Sequence, residues 1–257
     1  MLGIVLEGGG AKGAYQIGVW KAIEELKISF QGVVGASVGA LNGAMMVQGD
    51  FDRAQSLWET MEPKRIIAES AEIINRVMDH EFITDDILCY RQEMKYVFGI
   101  EGFNIDPFKE ILDECVNESA MRKSEKDFGL VTIDLEADEG IELFKEDIPK
   151  GKMKDFLLAT SFLPFFKEEK ICGKRYLDGG FYNNLPMNML VKKGYKDLLV
   201  VKLNDREDRF PLDEKNLNVV RIIPSKNLGK TMDFSNDRIL SNMETGYIDA
   251  MKTLSVL

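Results

Sequence analysis

The sequence predicts an α/β fold, a three-layer α/β/α sandwich around a mainly parallel sheet with a helical insertion. Three observations carry this. The first 47 residues alternate strand, loop, helix, strand and helix, the signature of βαβ units and a parallel sheet. Residues 51 to about 122 are strand-poor and carry apolar residues at helical spacing. Strand-like runs then return at 129–135, 141–144, 198–203 and 219–223. The chain has 257 residues and 45% hydrophobic content, enough for one large α/β domain or two small ones with a full core. With no repeat, low-complexity tract or evident linker, the simplest account is one domain over 1–257. It has an insertion at about 51–122 and a C-terminal helical tail at about 231–257.

The elements follow in order. A strand at 2–7 runs into a glycine loop at 8–13 and a helix at 14–26, in which Tyr15, Val19, Ala22, Ile23 and Leu26 share a face. A second strand, 30–35, leads to a helix at 38–47. In the insertion, Ile66, Ile67, Ile73, Ile74, Val77 and Met78 form one apolar stripe, and Ile87, Tyr90, Met94 and Val97 a second. Asp106-Pro107 opens a third helix, with the carboxylate as N-cap, proline at the first helical position, and Phe108, Ile111, Leu112 and Cys115 on its apolar face. These stripes either pack on the sheet or form a lid or apolar mouth for a greasy substrate. The two strands after the insertion are joined by a turn at Asp138-Glu139-Gly140. A helix at 152–161, an extended segment at 166–176, the turn Asp178-Gly179-Gly180 and a helix at 184–193 follow. The tail helix, 232–254, is built on Ile239, Leu240, Met243, Tyr247 and Met251.

The net charge is −10. That balance argues against nucleic-acid binding, which depends on neutralising phosphates, and against docking on anionic membranes by charge alone. Cys89, Cys115 and Cys172 are far apart and in no metal-ligand spacing, so they read as reduced thiols of a cytoplasmic protein. The N-terminus carries no basic and apolar regions of a signal peptide, and no run of about 18 apolar residues predicts a membrane span. No metal or cofactor is expected.

Two glycine-rich turns carry the chemistry. Gly35-Ala36-Ser37-Val38-Gly39 follows an apolar strand and precedes a helix. Such a sharp turn lifts a serine hydroxyl clear of its neighbours and aims a helix N-terminus at it. Taken alone, the pentapeptide fits tight packing equally well. The first loop, Gly8-Gly9-Gly10-Ala11-Lys12-Gly13, contains G-x-G-x-x-G. Dinucleotide binding would require an acid at the end of the second strand, where Gly35-Ala36-Ser37 stands instead. A P-loop would require Lys-Ser or Lys-Thr after Gly13. What remains is a cradle of backbone N–H groups able to hold an anion, including the oxyanion of a tetrahedral acyl intermediate. A nucleophilic serine needs a base. The single histidine, His80, lies in the insertion and reads as a surface or helix-end residue, so a carboxylate or lysine is required. Asp178, followed by two glycines, is the best candidate, against the plain reading of an Asp-Gly turn. A water-poor pocket would be expected to raise its pKa into the working range.

In this order, the pieces resemble the patatin-like phospholipase family over roughly residues 2–203. Gly8 to Gly13 is similar to its oxyanion loop, Gly35 to Gly39 to its nucleophile elbow, and Asp178-Gly179-Gly180 to its Asp-Gly-Ala/Gly motif. The segment from Ala159 to Phe166 resembles the Ala-Ser-x-x-x-Pro stretch beside the site. The tail around Phe234 to Ala250 resembles that of bacterial members, with Gly246 to Ala250 the closest piece. The resemblance implies a Ser37–Asp178 dyad, an oxyanion hole at Gly8, Gly9 and Gly10, and supporting roles for Lys12, Gly13, Gly35, Gly39, Gly179 and Gly180. Lys12 stands where many members carry arginine, either helping an oxyanion or solvated. The implied activity is hydrolysis of acyl lipids or small esters through an acyl-enzyme, with transient membrane-surface contact. A thioesterase or acyltransferase with the same dyad and a nucleotide-binding protein are the alternatives. The segment 59–123 does not map onto the family residue by residue.

Overall fold

The computed structural model describes residues 1–78, 87–208 and 210–255. Strand β1 (Leu2–Leu6), helix α1 (Ala14–Glu25), strand β2 (Gly32–Ala36) and helix α2 (Val38–Gln48) alternate as expected. The insertion holds α3 (Phe51–Glu59), α4 (Ala71–Met78), α5 (Ile87–Phe98), α6 (Asp106–Cys115) and α7 (Glu118–Lys123). Then come β3 (Asp127–Asp134), β4 (Glu139–Phe144), α8 (Met153–Thr160), β5 (Tyr176–Asp178), α9 (Gly180–Asn183), α10 (Met187–Lys192), β6 (Asp197–Val201), β7 (Asn218–Ile222) and α11 (Asn236–Leu254).

The described strands order as β4-β3-β2-β1-β6-β7, with β5 also on β3. The pairs β1–β2, β2–β3, β1–β6 and β6–β7 are parallel, and only β4 and β5 run antiparallel to β3. Alternation along the strands splits the core in two. Ile4, Leu6, Val33, Leu130, Leu199 and Val201 face α1, α2 and α11, while Val5, Val34, Val131, Leu198 and Val200 face Met187, Met189 and Leu190 of α10. Both sheet faces are covered, which is why the central strands read as continuous apolar runs. This is the predicted three-layer α/β fold.

Several elements differ from expectation for identifiable reasons. Of the segment 166–176, only its end is strand; the rest turns back at Ile171–Lys174, where Cys172 and Gly173 take positive φ (49° and 84°). The helix expected at 184–193 restarts at Met187, because Pro186 has no N–H to continue one. Asp106 is the first helical residue of α6 rather than its cap, and Ile66 and Ile67 follow a 3-10 turn at Pro63–Arg65 instead of joining α4. The tail helix starts at Asn236 because residues 229–234 turn away over the glycine loop, where Ala11 N–H donates to Thr231 O (2.7 Å).

Helix α11 is fastened to α1 by a glycine-to-backbone crossing. A Cβ on Gly18 would lie 1.9 Å from Met243 O, and one on Gly246 would lie 2.0 Å from Tyr15 O. Beside this crossing the buried Tyr15 hydroxyl donates to Asp249 (3.0 Å), and burial against that carboxylate pushes the phenol pKa upward. The crossing anchors the C-terminal segment whose preceding loop reaches the site.

Candidate active site

Ser37 sits between β2 and α2 with φ 52° and ψ −127°. Positive φ in a residue with a side chain costs on the order of 1–3 kcal/mol, and the surroundings must enforce it. They do so through the two neighbouring glycines. A Cβ on Gly35 would lie 2.5 Å from the Gly39 carbonyl carbon, and one on Gly39 would lie 2.3 Å from Leu6 O. Only bare backbone lets α2 fold back over the strand ends. The Ser37 carbonyl then accepts from Ala40 and Leu41 N–H, starting the helix.

Asp178 reaches Ser37 through a feature of the sheet. Strand β2 leaves β3 at the rung Ala36–Val131, and β5 takes up the same strand at the next rung, Asp178–Thr132. The two glycine turns therefore start from adjacent rungs. The end of α8 ties them together. Thr160 Oγ1 accepts from Ser37 N–H (3.0 Å) and donates to Val131 O (2.5 Å). Gly179 N–H donates to Thr160 O (3.0 Å), and Asp178 N–H donates to Phe162 O (2.8 Å). Gly179 has no room for a side chain, since a Cβ would lie 2.0 Å from Val131 O.

Asp178 is 4% exposed. Burial pushes its pKa up to about 6, against the pull of hydrogen bonds from the Ser37 hydroxyl and from Gly180 N–H, the latter 2.7 Å long. Desolvation outweighs both bonds, and among the described residues no cation stands beside the carboxylate to stabilise its charge.

The glycine loop divides its donors. Gly8 N–H, expected to face the oxyanion, donates instead to Asn184 O (3.2 Å), and Ala11 N–H is taken by Thr231. Gly9 and Gly10 N–H have no protein acceptor among the described residues, and Gly10 (φ 57°) lines the same pocket as Ser37. Gly13 lets α1 approach the elbow, for a Cβ there would lie 2.4 Å from Val38 Cγ2. Lys12 is half-buried in the 3-10 turn and forms no ion pair among the described residues.

Residues that the sequence did not single out hold this loop in place. Asn42 Nδ2 reaches Gly13 O (3.0 Å) and Gln16 Oε1 (2.8 Å), and its Oδ1 accepts from Trp58 Nε1 (3.0 Å). Gln16 donates in turn to Glu7 O (2.7 Å). On the other side the buried Glu7 carboxylate accepts from Leu203 N–H and Asn204, and desolvation raises its pKa. Asn184 donates to Gly8 O (3.1 Å). The available signals were polar residues inside apolar elements, namely Asn42 within 38–47 and Glu7 ending the first strand.

From Ser37 an apolar pocket of about 80 Å³ opens. Leu41 and Met45 line it from α2, Trp58 from α3, and Phe108, Ile111 and Cys115 from α6. Met232 and Phe234, ahead of α11, close it. It runs along α2, because Gln48, at the far end of that helix, donates to Cys115 O (2.7 Å). Eleven residues of helix separate Gln48 from Ser37, roughly 16 Å at 1.5 Å per residue. The α6 stripe thus serves as pocket wall as well as core. Burial pushes the Cys115 thiol up to about 11, so it is a neutral wall residue.

His80 lies outside the described residues, as do the side chains of Ile87 and Tyr90. Among the described residues, no group of three or more His, Cys, Asp or Glu side chains is placed to hold a metal ion, and no helix is long and apolar enough to cross a membrane.

Comparison with known proteins gives a consistent picture. Residues 4–191 match the family described as patatin-like phospholipase. The chain is 24% identical over 208 residues to human "Patatin-like phospholipase domain-containing protein 6", covering 80% of this chain but 14% of that protein. It is 23% identical over 273 residues to "Lysophospholipase NTE1" of Kluyveromyces lactis, covering 98% of this chain and 16% of the relative. The chain thus spans a small part of these relatives' length. The crystal structure of VipD from Legionella pneumophila shares the fold, with a TM-score of 0.56 at 13% identity over 99% of this chain and 66% of that one.

Proposed function

Because the chain belongs to the patatin-like phospholipase family, we propose that it is a serine acyl hydrolase. In this reading it cleaves carboxylic esters of acyl lipids through a Ser37–Asp178 dyad. The observation that carries the reading is the buried Ser37–Asp178 pair, with Ser37 lining an apolar pocket. The catalytic unit is taken to include the insertion and the C-terminal segment, since both line that pocket.

The acyl chain lies along α2 toward Cys115, with the ester carbonyl over Ser37. Asp178 takes the Ser37 proton as Oγ bonds to the carbonyl carbon, and Gly9 and Gly10 N–H hold the oxyanion. The tetrahedral intermediate collapses and the alcohol leaves with the proton from Asp178. Water then attacks acyl-Ser37, giving its proton to Asp178. Collapse returns that proton to Ser37 and frees the fatty acid. No step needs a metal or an organic cofactor. The glycine loop is a poor nucleotide cradle, because two of its N–H groups are already committed to Asn184 and Thr231.

The direct test is fatty-acid release from lysophospholipid, phospholipid and simple acyl esters. Purified protein that releases none from any of them contradicts the reading. The pH dependence follows from Asp178, whose protonated form cannot accept the serine proton. Ester kcat/KM is expected to climb about tenfold per pH unit up to about 6 and level off above it. A flat profile between about pH 4.5 and 7 would remove Asp178 as the base.

Pocket depth gives a further expectation. Cys115→Phe fills the distal end without touching Ser37. It is expected to lower kcat/KM for a long-chain ester at least about tenfold relative to an acetyl ester. Equal loss for both esters, with an unchanged melting temperature, would mean that the acyl chain lies elsewhere.

A further inference from the structure

Within the pocket that holds Ser37, one polar group is left over. Ser161 follows the last residue of α8 and is 6% exposed. Its hydroxyl is buried, lines the pocket and has no hydrogen-bond partner, alone in this among the buried side-chain polar atoms described. Its neighbours on either side are both engaged at the catalytic turns, Thr160 through Ser37 N–H and Phe162 through Asp178 N–H. The Ser161 side chain is thus held by backbone that is itself locked to the nucleophile and the base.

An unmet buried hydroxyl typically costs about as much as a hydrogen bond contributes, or more, so one kept in a pocket beside the nucleophile calls for a partner such as a bound ligand. The other polar groups of the pocket can be accounted for. Asn42 is fully used by Gly13, Gln16 and Trp58. Gly10 N–H belongs to the cradle for the carbonyl oxygen, and Ser37 attacks the carbon. An ester has a second oxygen, on the alcohol side. It gathers charge as the bond to the acyl carbon breaks, and the site as described gives it no hydrogen-bonding partner besides the protonated Asp178.

Building on the proposed hydrolase reading, we infer that Ser161 contacts the substrate by donating a hydrogen bond to the leaving alkoxy oxygen, which makes the site selective for oxygen esters over thioesters. Ser161 keeps its own proton throughout. The proton that leaves with the alcohol is the one Asp178 took from Ser37. The C–O bond breaks with its electron pair on oxygen, and the Ser161 hydroxyl stabilises that pair until Asp178 protonates it. A thioester places sulfur, a weak acceptor, at the same position and gains little from the donor. Its thiolate also departs without such help.

The test uses an alkyl ester and the matching alkyl thioester of one fatty acid. Both give the same acyl-enzyme, so the ratio of their kcat/KM values reports the acylation step alone. Ser161→Ala is expected to lower the ester value about 10- to 100-fold and to leave the thioester within about threefold. Its melting temperature should be unchanged or higher, because the variant deletes an unpaired buried hydroxyl. An unchanged ratio, or equal loss on both substrates, overturns the assignment and leaves Ser161 a packing residue. Ser37→Ala, run beside it, keeps the two readings apart. If Ser37→Ala abolishes both activities while Ser161→Ala leaves the ratio untouched, only the Ser161 assignment fails. If Ser37→Ala remains active, the hydrolase mechanism fails first.

Discussion

Ser37→Ala is expected to lower ester hydrolysis by about 10⁴–10⁶ and to abolish covalent labelling by a fluorophosphonate, with the fold intact. The size of the effect follows from the site's composition. Once the hydroxyl is gone, the remaining contributors are two backbone donors and an apolar pocket, which bind substrate but cannot form an acyl-enzyme. The strained backbone adds a second observable. At φ 52° an alanine is as strained as the serine, so Ser37→Ala should melt close to the parent protein. Ser37→Gly relieves the strain and should be inactive yet more stable by about 1 kcal/mol, less the added chain entropy of glycine in the unfolded state. An inactive, stabilised glycine variant is hard to obtain if Ser37 is merely a packing residue. Peptide mapping of the labelled parent provides the complementary check, and label found on a peptide without Ser37 would displace it as nucleophile.

The two turns that carry Ser37 and Asp178 are legible in the sequence because each depends on local turn chemistry. Gly35 and Gly39 are needed where a helix folds back so closely over the strand ends that a Cβ would lie within 2.5 Å of backbone, and Gly179 where the chain passes Val131 O. Such positions announce themselves as glycines flanking a polar residue. That the two turns meet was not legible from spacing. It depends on β5 annealing to β3 one rung beyond β2, a pairing between residues more than forty apart in the chain. The same limit hid the division of labour in the glycine loop. Gly8, Gly9 and Gly10 look alike in sequence, and Gly8 differs only because Asn184, far along the chain, takes its N–H. In the insertion the stripe of Phe108, Ile111, Leu112 and Cys115 was visible as an apolar face. Its second use, as the wall of a cavity, depends on how α6 lies against α2. The periodicity of the C-terminal segment predicts an amphipathic helix, while its contribution to the pocket comes from Met232 and Phe234 just ahead of that helix, in a loop with no periodic signal.

Asp178→Asn should be the second most damaging substitution and, unlike Ser37→Ala, a markedly stabilising one. The amide cannot accept the serine proton, so kcat/KM is expected to fall about 10³–10⁴ and to lose its pH dependence near 6. The stability argument runs through the buried charge. The folded-state pKa is raised from 3.8 to about 6. The native state therefore holds a proton between those values that the unfolded chain has released. Stability contributed by this group is greatest below the lower value, declines as pH rises toward 6, and stays low above it. A rise of that size corresponds to about 3 kcal/mol at neutral pH, the cost of keeping a buried carboxylate charged with no cation beside it among the described residues. Asparagine removes the charge while its oxygen still accepts from Gly180 N–H. Its melting temperature at pH 7.5 should exceed that of the parent, and the difference should shrink as both are moved toward pH 4. An equal or lower melting temperature across that range would mean that Asp178 is stabilised as an anion in the fold. Its ability to take a proton from Ser37 would then need another source.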